Sequence, residues 1–278
     1  MIKRIALQIE KDSACEVRTA VATALAARFD AELIGVYVGY SLPPYVFDES
    51  YVPVAVMEVT RRRLEEDRAT CEEAFRRQTS PAGIAVQWRA QKGRPDELLA
   101  RHARCADLLI MSQAVEGVTN SVIAPDLEES VVLTAGRPVL TIPYAGTFPT
   151  VGSRILFCWD RGREAARALA DAAPFLESAQ EVVVLTLNPD SEAMRRRMTV
   201  EGDLEAYFHA HGYVHPRPTT GSTSGVGVGN AILNAASDHD CDLIVMGLYG
   251  HSRAREWVLG GASRSILKNM TVPVLFSH

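Results

Sequence analysis

Two stretches of this chain repeat each other at a constant spacing, and the repeat limits the folds that the chain can adopt. Asp107-Leu-Leu-Ile-Met-Ser112 lies 135 residues before Asp242-Leu-Ile-Val-Met-Gly247, and Arg137-Pro-Val-Leu140 lies 135 residues before Val272-Pro-Val-Leu275. Solenoid repeats span about 20–50 residues, so a period of this size indicates a duplicated domain instead. The sequence therefore predicts two copies of one fold in tandem.

The beginnings of the two copies lie further apart than their ends. Arg4-Ile-Ala-Leu7 precedes Arg154-Ile-Leu-Phe157 by 150 residues, so the first copy carries about 15 additional residues. We place this insertion in the Pro-containing stretch 40–56, where it would form either a lid or an interface. A turn-rich joint over 144–152 separates the copies. We predict one domain over 1–147 and a second over 148–278.

Each copy alternates apolar runs with amphipathic segments. Nearly continuous apolar runs, such as Val182–Leu187, are typical of parallel strands that are buried on both faces. The pattern predicts an α/β chain with two doubly wound, Rossmann-like domains. In the second copy we predict strands at Arg154–Trp159, Glu181–Leu187, Tyr213–Arg217, Asp242–Met246 and Pro273–Phe276, and helices near 162–177, 192–210, 228–239 and 261–269. The first copy has a longer helix near 57–78.

Composition excludes several classes of function. The formal net charge of −5 argues against nucleic acid or an anionic membrane as a partner. Five scattered cysteines without a C-x-x-C pair suit reduced packing residues. The early charges and the lack of an apolar run of about 18 residues predict a cytoplasmic location. His209, His211 and His215 have metal-like spacing but run from a helix end into a strand, so no metal site is predicted.

A glycine pattern near the end of the chain is suited to phosphate binding. Gly247 and Gly250 follow an apolar run, and Gly260 and Gly261 then open a helical segment. Glycine lets the backbone approach a ligand closely, and the free N–H groups of a helix start attract anions. Two structural explanations stay open: the first pair are ordinary turn glycines, and the second pair serve close helix packing. The chain has no Walker P-loop and no G-x-S-x-G or H-E-x-x-H motif.

These features together resemble the universal stress protein family in its tandem two-domain form, over essentially the whole chain. The family motif, Gly-x2-Gly-x9-Gly-(Ser/Thr), corresponds to Gly247-x2-Gly250-x9-Gly260-Gly261, with Gly at the last position. The resemblance implies two five-stranded parallel sheets of strand order 3-2-1-4-5, related by pseudo-twofold symmetry. It also implies an intramolecular pseudo-dimer, in which the final strands Val139–Pro143 and Val274–Ser277 meet.

The resemblance also implies a set of binding residues. Asp160 would approach the adenosine, although it could equally cap the following helix. The backbone of Leu187 would hold the adenine. Ribose and phosphates would contact the motif loop and the helix start, comprising Met246, Gly247, Gly250, Gly260, Gly261 and Ala262. Gly261 lacks the family hydroxyl, and Ser263 either compensates for that loss or caps its helix.

The corresponding positions of the first copy have lost this pattern. At the 135-residue offset, Gly247 and Gly250 become Ser112 and Val115, and Gly260 and Gly261 become Pro125 and Asp126. Proline has no N–H to donate. Asp126, Glu128 and Glu129 place negative charge where a phosphate would lie, and Glu10 replaces Asp160. We therefore expect at most one standard nucleotide site per chain.

The resemblance implies a cytoplasmic stress-response protein that binds ATP or AMP, with or without Mg²⁺, in its C-terminal domain. It would act as a regulator rather than as a catalyst, with a protein partner that the sequence does not identify and with a homodimer of chains left open. Two alternatives use the same scaffold. One is a slow ATPase with the same pocket, and the other is a nucleotide-free module that binds a different small molecule or a protein.

Overall fold

A computed structural model describes residues 1–39, 54–114, 127–192, 202–248 and 261–278. They form two compact units, 2–136 and 137–278, and Met1 groups with the second. The boundary predicted between 147 and 148 follows the sequence repeat and stays a prediction. Most of the predicted insertion, together with Gly250 and Gly260 of the glycine motif, lies outside the described residues.

The first unit alternates strands and helices along the chain. Its strands pair in parallel in the order β3-β2-β1-β4. Most apolar residues of β1, β2 and β4 are buried, as expected of strands covered on both faces. The elements are β1 (Arg4–Ile9), α1 (Cys15–Phe29), β2 (Glu32–Gly39), α2 (Val54–Thr79), β3 (Val86–Lys92), α3 (Pro95–Ala103), β4 (Leu108–Ser112) and α4 (Leu127–Ala135).

The second unit contains the full predicted sheet. Its parallel strands follow the order β8-β7-β6-β9-β10, which confirms the predicted order 3-2-1-4-5. The elements are β5 (Val139–Ile142), β6 (Arg154–Cys158), α5 (Arg163–Asp171), α6 (Ala173–Leu176), β7 (Glu181–Leu187), α7 (Asp203–Ala210), β8 (Arg217–Gly221), α8 (Gly227–Asp238), β9 (Leu243–Gly247), α9 (Gly261–Asn269) and β10 (Val274–Ser277).

Strands β5 and β10 pair in a way that reflects the repeat. The pairing is antiparallel, with Leu140 opposite Leu275, and these two residues correspond at the 135-residue offset. Thr141 lies opposite Val274, and Val139 lies opposite Phe276. The two strands are therefore related by a local twofold axis through the central leucine pair. This confirms the prediction that the final strands of the two copies meet.

The predicted strand at Tyr213–Arg217 was wrong by four residues, because β8 spans Arg217–Gly221. Tyr213 belongs instead to an aromatic cluster, with ring centroids 5.7 Å from Phe208 and 5.2 Å from His211. An edge strand needs no continuous apolar run, since much of it faces solvent, and β8 even contains Pro218. Hydrophobicity therefore indicated the aromatic cluster rather than the strand.

The helix predicted over 162–177 is divided into α5 and α6. Pro174 lies in the first turn of α6, where its missing N–H is tolerated, but it cannot continue the hydrogen bonding of α5. Within the described ranges, no helix combines the length and the apolar character that a bilayer crossing requires. The same part of the chain contains no group of three His, Cys, Asp or Glu side chains arranged to hold a metal ion.

Candidate functional site

The candidate site lies where the chain order of the second sheet reverses. Strands β6 and β9 are parallel neighbours in the sheet, with Phe157 opposite Val245, although β7 and β8 lie between them in the chain. Asp160 follows β6 by two residues, Gly247 ends β9, and Leu187 ends the adjacent β7. All three therefore lie at the carboxyl edge of the sheet. A reversal at this edge leaves a crevice, which is the usual ligand position in open α/β sheets.

Asp160 organises the loop between β6 and α5. Its Oδ1 accepts a hydrogen bond of 2.8 Å from the backbone N–H of Gly162, the N-cap residue of α5. The carboxylate therefore orders the loop that leads into the helix, but Asp160 is not the N-cap residue, and α5 has no side-chain capping hydrogen bond. Arg161, between these two residues, has a left-handed φ of 60°. The predicted contact between Asp160 and adenosine is compatible with this geometry and stays a prediction.

Gly247 is required by packing. A Cβ at this position would lie 2.5 Å from the carbonyl carbon of Glu164 and 2.7 Å from its carbonyl oxygen. Real Cβ atoms essentially never approach backbone that closely, so a side chain would displace the first turn of α5. Gly247 thus has a structural role that does not depend on a ligand. Its neighbour Met246 is buried in the core, which leaves only its backbone for a ligand.

The start of α9 has a different character. Gly261 is exposed, and a Cβ built on it meets no described atom within 4 Å. The described residues therefore give no support to the helix-packing explanation for Gly261. Gly229 of α8 is closely packed instead, because a Cβ added there would lie 2.4 Å from Ser265 Oγ. Ala262 is half-buried. Ser263 is only 5% exposed, and its predicted compensating or capping role stays a prediction.

Sequence reasoning missed Asn188, which fixes the edge beside Leu187. It has a left-handed φ of 47°, and its backbone N–H donates to Gly221 O at 2.8 Å. Its side-chain amide donates to Thr223 Oγ1 at 2.8 Å and accepts from the Thr223 N–H at 3.1 Å. The ends of β7 and β8 are thereby joined. An asparagine directly after a strand is a usable signal, since Asn tolerates this conformation.

The equivalent edge of the first unit is filled by Arg18, which is fully buried. Its Nε donates to Gln8 O at 2.8 Å, and one terminal nitrogen donates to Asp12 Oδ2 at 2.9 Å. The other terminal nitrogen donates to Ser112 Oγ. At the 150-residue offset Arg18 corresponds to Ala168, which is also fully buried. A buried cation thus occupies the first unit where the second has a methyl group.

Carboxylates complete this polar cluster. Glu128 is only 3% exposed, and its Oε1 accepts a hydrogen bond from the backbone N–H of Ala114. A backbone donor beyond β4 is therefore satisfied by a carboxylate of the same chain, as the acidic sequence at 126–129 suggested. Glu10 lies at the end of β1, and burial, reinforced by the nearby Asp12 carboxylate, raises the pKa of Glu10 to about 7.

Comparison with known proteins identifies the second half. The model of the Universal stress protein family matches residues 153–278, so this half of the chain is a universal stress protein domain, and the resemblance is confirmed. No curated protein matches the chain.

Solved structures share the fold at low identity. A universal stress protein from Archaeoglobus fulgidus DSM 4304 has a TM-score of 0.73 and 16% identity, over 99% of this chain and 95% of its own. A functionally unknown protein from Pseudomonas aeruginosa PAO1 has a TM-score of 0.60 and 15% identity, over 99% and 92%. A universal stress protein family protein from Arabidopsis thaliana with AMP bound covers 51% of this chain and 91% of its own, at 13% identity and a TM-score of 0.37. The two full-length likenesses support a tandem two-domain architecture and specify no ligand.

Replacement of Gly247 by Ala is expected to lower the free energy of unfolding by about 1–3 kcal/mol, because the methyl group overlaps the backbone of Glu164. Urea denaturation measures this change. The matched control is Gly261→Ala, whose methyl group meets no described atom within 4 Å. Equal stability of the two variants would contradict the close approach of α5 to β9.

Replacement of Glu10 by Gln is expected to change the pH dependence of stability. The folded-state pKa of about 7 exceeds the ordinary 4.5, so between these values the folded chain keeps a proton that the unfolded chain releases. Stability therefore falls as pH rises through this window and is constant above it. Glu10→Gln has no carboxyl group to titrate and does not lose this stability. At pH 8 its free energy of unfolding should therefore exceed that of the unmodified chain by at most about 3 kcal/mol.

Urea denaturation at pH 5 and pH 8 tests this expectation, with little difference between Glu10→Gln and the unmodified chain at the lower pH. Glu73→Gln serves as the control, because Glu73 is an exposed glutamate on α2. A Glu10→Gln profile that parallels the unmodified chain at both pH values would show that Glu10 does not titrate in this way.

Proposed function

We propose that the second half of the chain binds an adenine nucleotide at the carboxyl edge of β6, β7 and β9 and acts as a regulator. One observation carries this proposal. Asp160 and Gly247 end neighbouring parallel strands at the point where the chain order reverses. Open α/β sheets bind nucleotides at such a reversal. The cytoplasmic location, the stress-response role and a homodimer stay predictions from the family resemblance.

The local structure supports a phosphate position near the start of α9. The first-turn N–H groups of a helix lack intrahelical partners and carry the positive end of the helix dipole. Gly261 is the first residue of α9, and its exposed position leaves the approach to these groups open within the described residues. Without the family hydroxyl, one hydrogen bond to phosphate is missing, so modest affinity is expected.

A regulatory role agrees better with the described site residues than catalysis does. Phosphoryl transfer needs cationic clamps and a positioned nucleophile or base. Asp160 is the carboxylate next to the reversal, and one of its oxygens already accepts from the Gly162 N–H. Arg161 is a cation three residues beyond β6, but within the described ranges no lysine or histidine that could act as the base follows β6, β7 or β9 within three residues. The site is therefore better suited to holding a nucleotide than to cleaving one.

We further propose a single nucleotide site per chain. In the first unit, the Arg18 side chain and the Glu128 carboxylate hydrogen-bond to Ser112 and to the Ala114 N–H, at the positions that correspond to the second-unit motif. Donors that are already satisfied within the chain gain little from a ligand. The first unit would then serve as a structural partner of the binding domain.

Isothermal titration of AMP, ADP, ATP and cAMP, with and without Mg²⁺, tests the proposal on protein freed of ligand. AMP and cAMP are included because universal stress proteins have been crystallised with each. We expect one site per chain. Gly261→Ser restores the missing hydroxyl and should tighten AMP or ATP binding about two- to tenfold, the effect of one hydrogen bond. Gly261→Ala is the control, since it adds the Cβ without the hydroxyl.

Several outcomes would oppose the proposal. No heat with any adenine nucleotide, from folded protein, would favour the nucleotide-free alternative. Equal affinities of Gly261→Ser and Gly261→Ala for AMP would show that phosphate does not contact the start of α9. If the unmodified chain steadily released phosphate from ATP and Asp160→Asn did not, the slow ATPase would be the better description of its function.

A further inference from the structure

Arg161 has an unusual backbone conformation for its residue type. Four described non-glycine residues have a positive φ: Asp30, Arg161, Asn188 and Asp240. Asn and Asp adopt this conformation comparatively easily, and Asp30 and Asp240 also lie at the ends of helices, where it is common. Asn188 is held by its hydrogen bonds to Thr223. Arg161, in contrast, combines a long side chain with a position at the beginning of a helix.

The guanidinium of Arg161 also has no partner among the residues that the structure describes. It makes no hydrogen bond or ion pair within the described residues, although the residue is half-buried. A guanidinium has five N–H donors, which are available to a ligand where the described part of the chain supplies no acceptor. Other arginines of the same unit pair with carboxylates: Arg154 and Arg217 with Glu181, Arg163 with Glu164, and Arg167 with Asp171.

These two features, the left-handed backbone and the unpaired guanidinium, occur together at the reversal of strand order, three residues beyond the end of β6. Strained backbone persists where the surrounding structure maintains it, and it is concentrated at ligand sites. An unpaired guanidinium is a strong donor to phosphate, which it can bind through two parallel hydrogen bonds. An anionic ligand would satisfy the donors that the chain itself leaves unsatisfied.

We propose that Arg161 determines the specificity of the site by binding the phosphate of the nucleotide. This inference rests on the proposed nucleotide function and makes it more specific. The site then prefers a nucleotide with a terminal phosphate of charge near −2, such as AMP, over the singly charged cyclic diester cAMP and over uncharged adenosine. Charge is the discriminating property, since all three ligands share the adenine and ribose.

Calorimetric titration of AMP, cAMP, adenosine and pyrophosphate into the unmodified chain, Arg161→Asn and Arg163→Asn tests the inference. Asn tolerates the left-handed backbone, so Arg161→Asn should keep the fold, and its Tm should not fall below that of the unmodified chain. AMP binding should weaken about tenfold or more in Arg161→Asn, as for the loss of a charge-assisted hydrogen bond, whereas adenosine binding stays unchanged. Arg163→Asn removes the same charge two residues away and should leave AMP affinity within about twofold.

Each outcome decides a different point. Equal AMP affinity for the unmodified chain and Arg161→Asn would overturn the role of Arg161 and leave the nucleotide function standing. Equal losses of AMP and adenosine affinity would also overturn it, because the effect would not involve phosphate. Pyrophosphate binding that requires Arg161, without binding of any adenine ligand, would support the anion contact and overturn the nucleotide function. Absence of binding by all four ligands would overturn both.

Discussion

The residue that ends the fourth strand of each half determines what can occupy the adjacent sheet edge. In the second half it is Gly247, and the missing side chain lets the backbone of Glu164 come so close that even a methyl group would overlap it. In the first half it is Ser112, whose hydroxyl accepts a hydrogen bond from the buried Arg18. The two copies of the fold therefore differ at one equivalent position: glycine allows a closely packed helix start, and serine takes part in a buried polar cluster.

The two arrangements differ in how they satisfy polar groups. Arg18 makes hydrogen bonds to Gln8, Asp12 and Ser112, so the cost of its complete burial is offset within the chain. The edge of the second half instead retains an exposed helix start at Gly261 and a guanidinium, that of Arg161, without a partner in the described part of the chain. Because ligand binding requires unsatisfied groups, only the second arrangement is suited to it. In the first half, the equivalent edge is held together by the hydrogen bonds of Arg18.

Much of the fold could be predicted because it depends on properties that single sequences carry. Continuous apolar runs located β6, β7 and β9 to within two residues. The family resemblance implied that the final strands of the two copies meet, as β5 and β10 do. The edge strand β8 could not be located in this way, since an exposed strand has no apolar run and the nearby Tyr213 belongs to an aromatic cluster. Local hydrophobicity cannot show whether an apolar residue is buried in a strand or in an aromatic cluster formed by tertiary packing.

The candidate site also contains some features that could be predicted from the sequence and others that could not. The family resemblance implied that Asp160 and Gly247 would lie at one edge, in agreement with the rule that parallel strands bring their carboxyl ends together. Spacing could not separate packing from binding, since both require glycine, and the structure assigns packing to Gly247 and to Gly229 but offers no described neighbour to explain Gly261. Nor does a sequence reveal which arginine lacks a partner. The proposed ligand specificity therefore depends on features, such as a left-handed backbone and an unpaired donor, that exist only once the chain is folded.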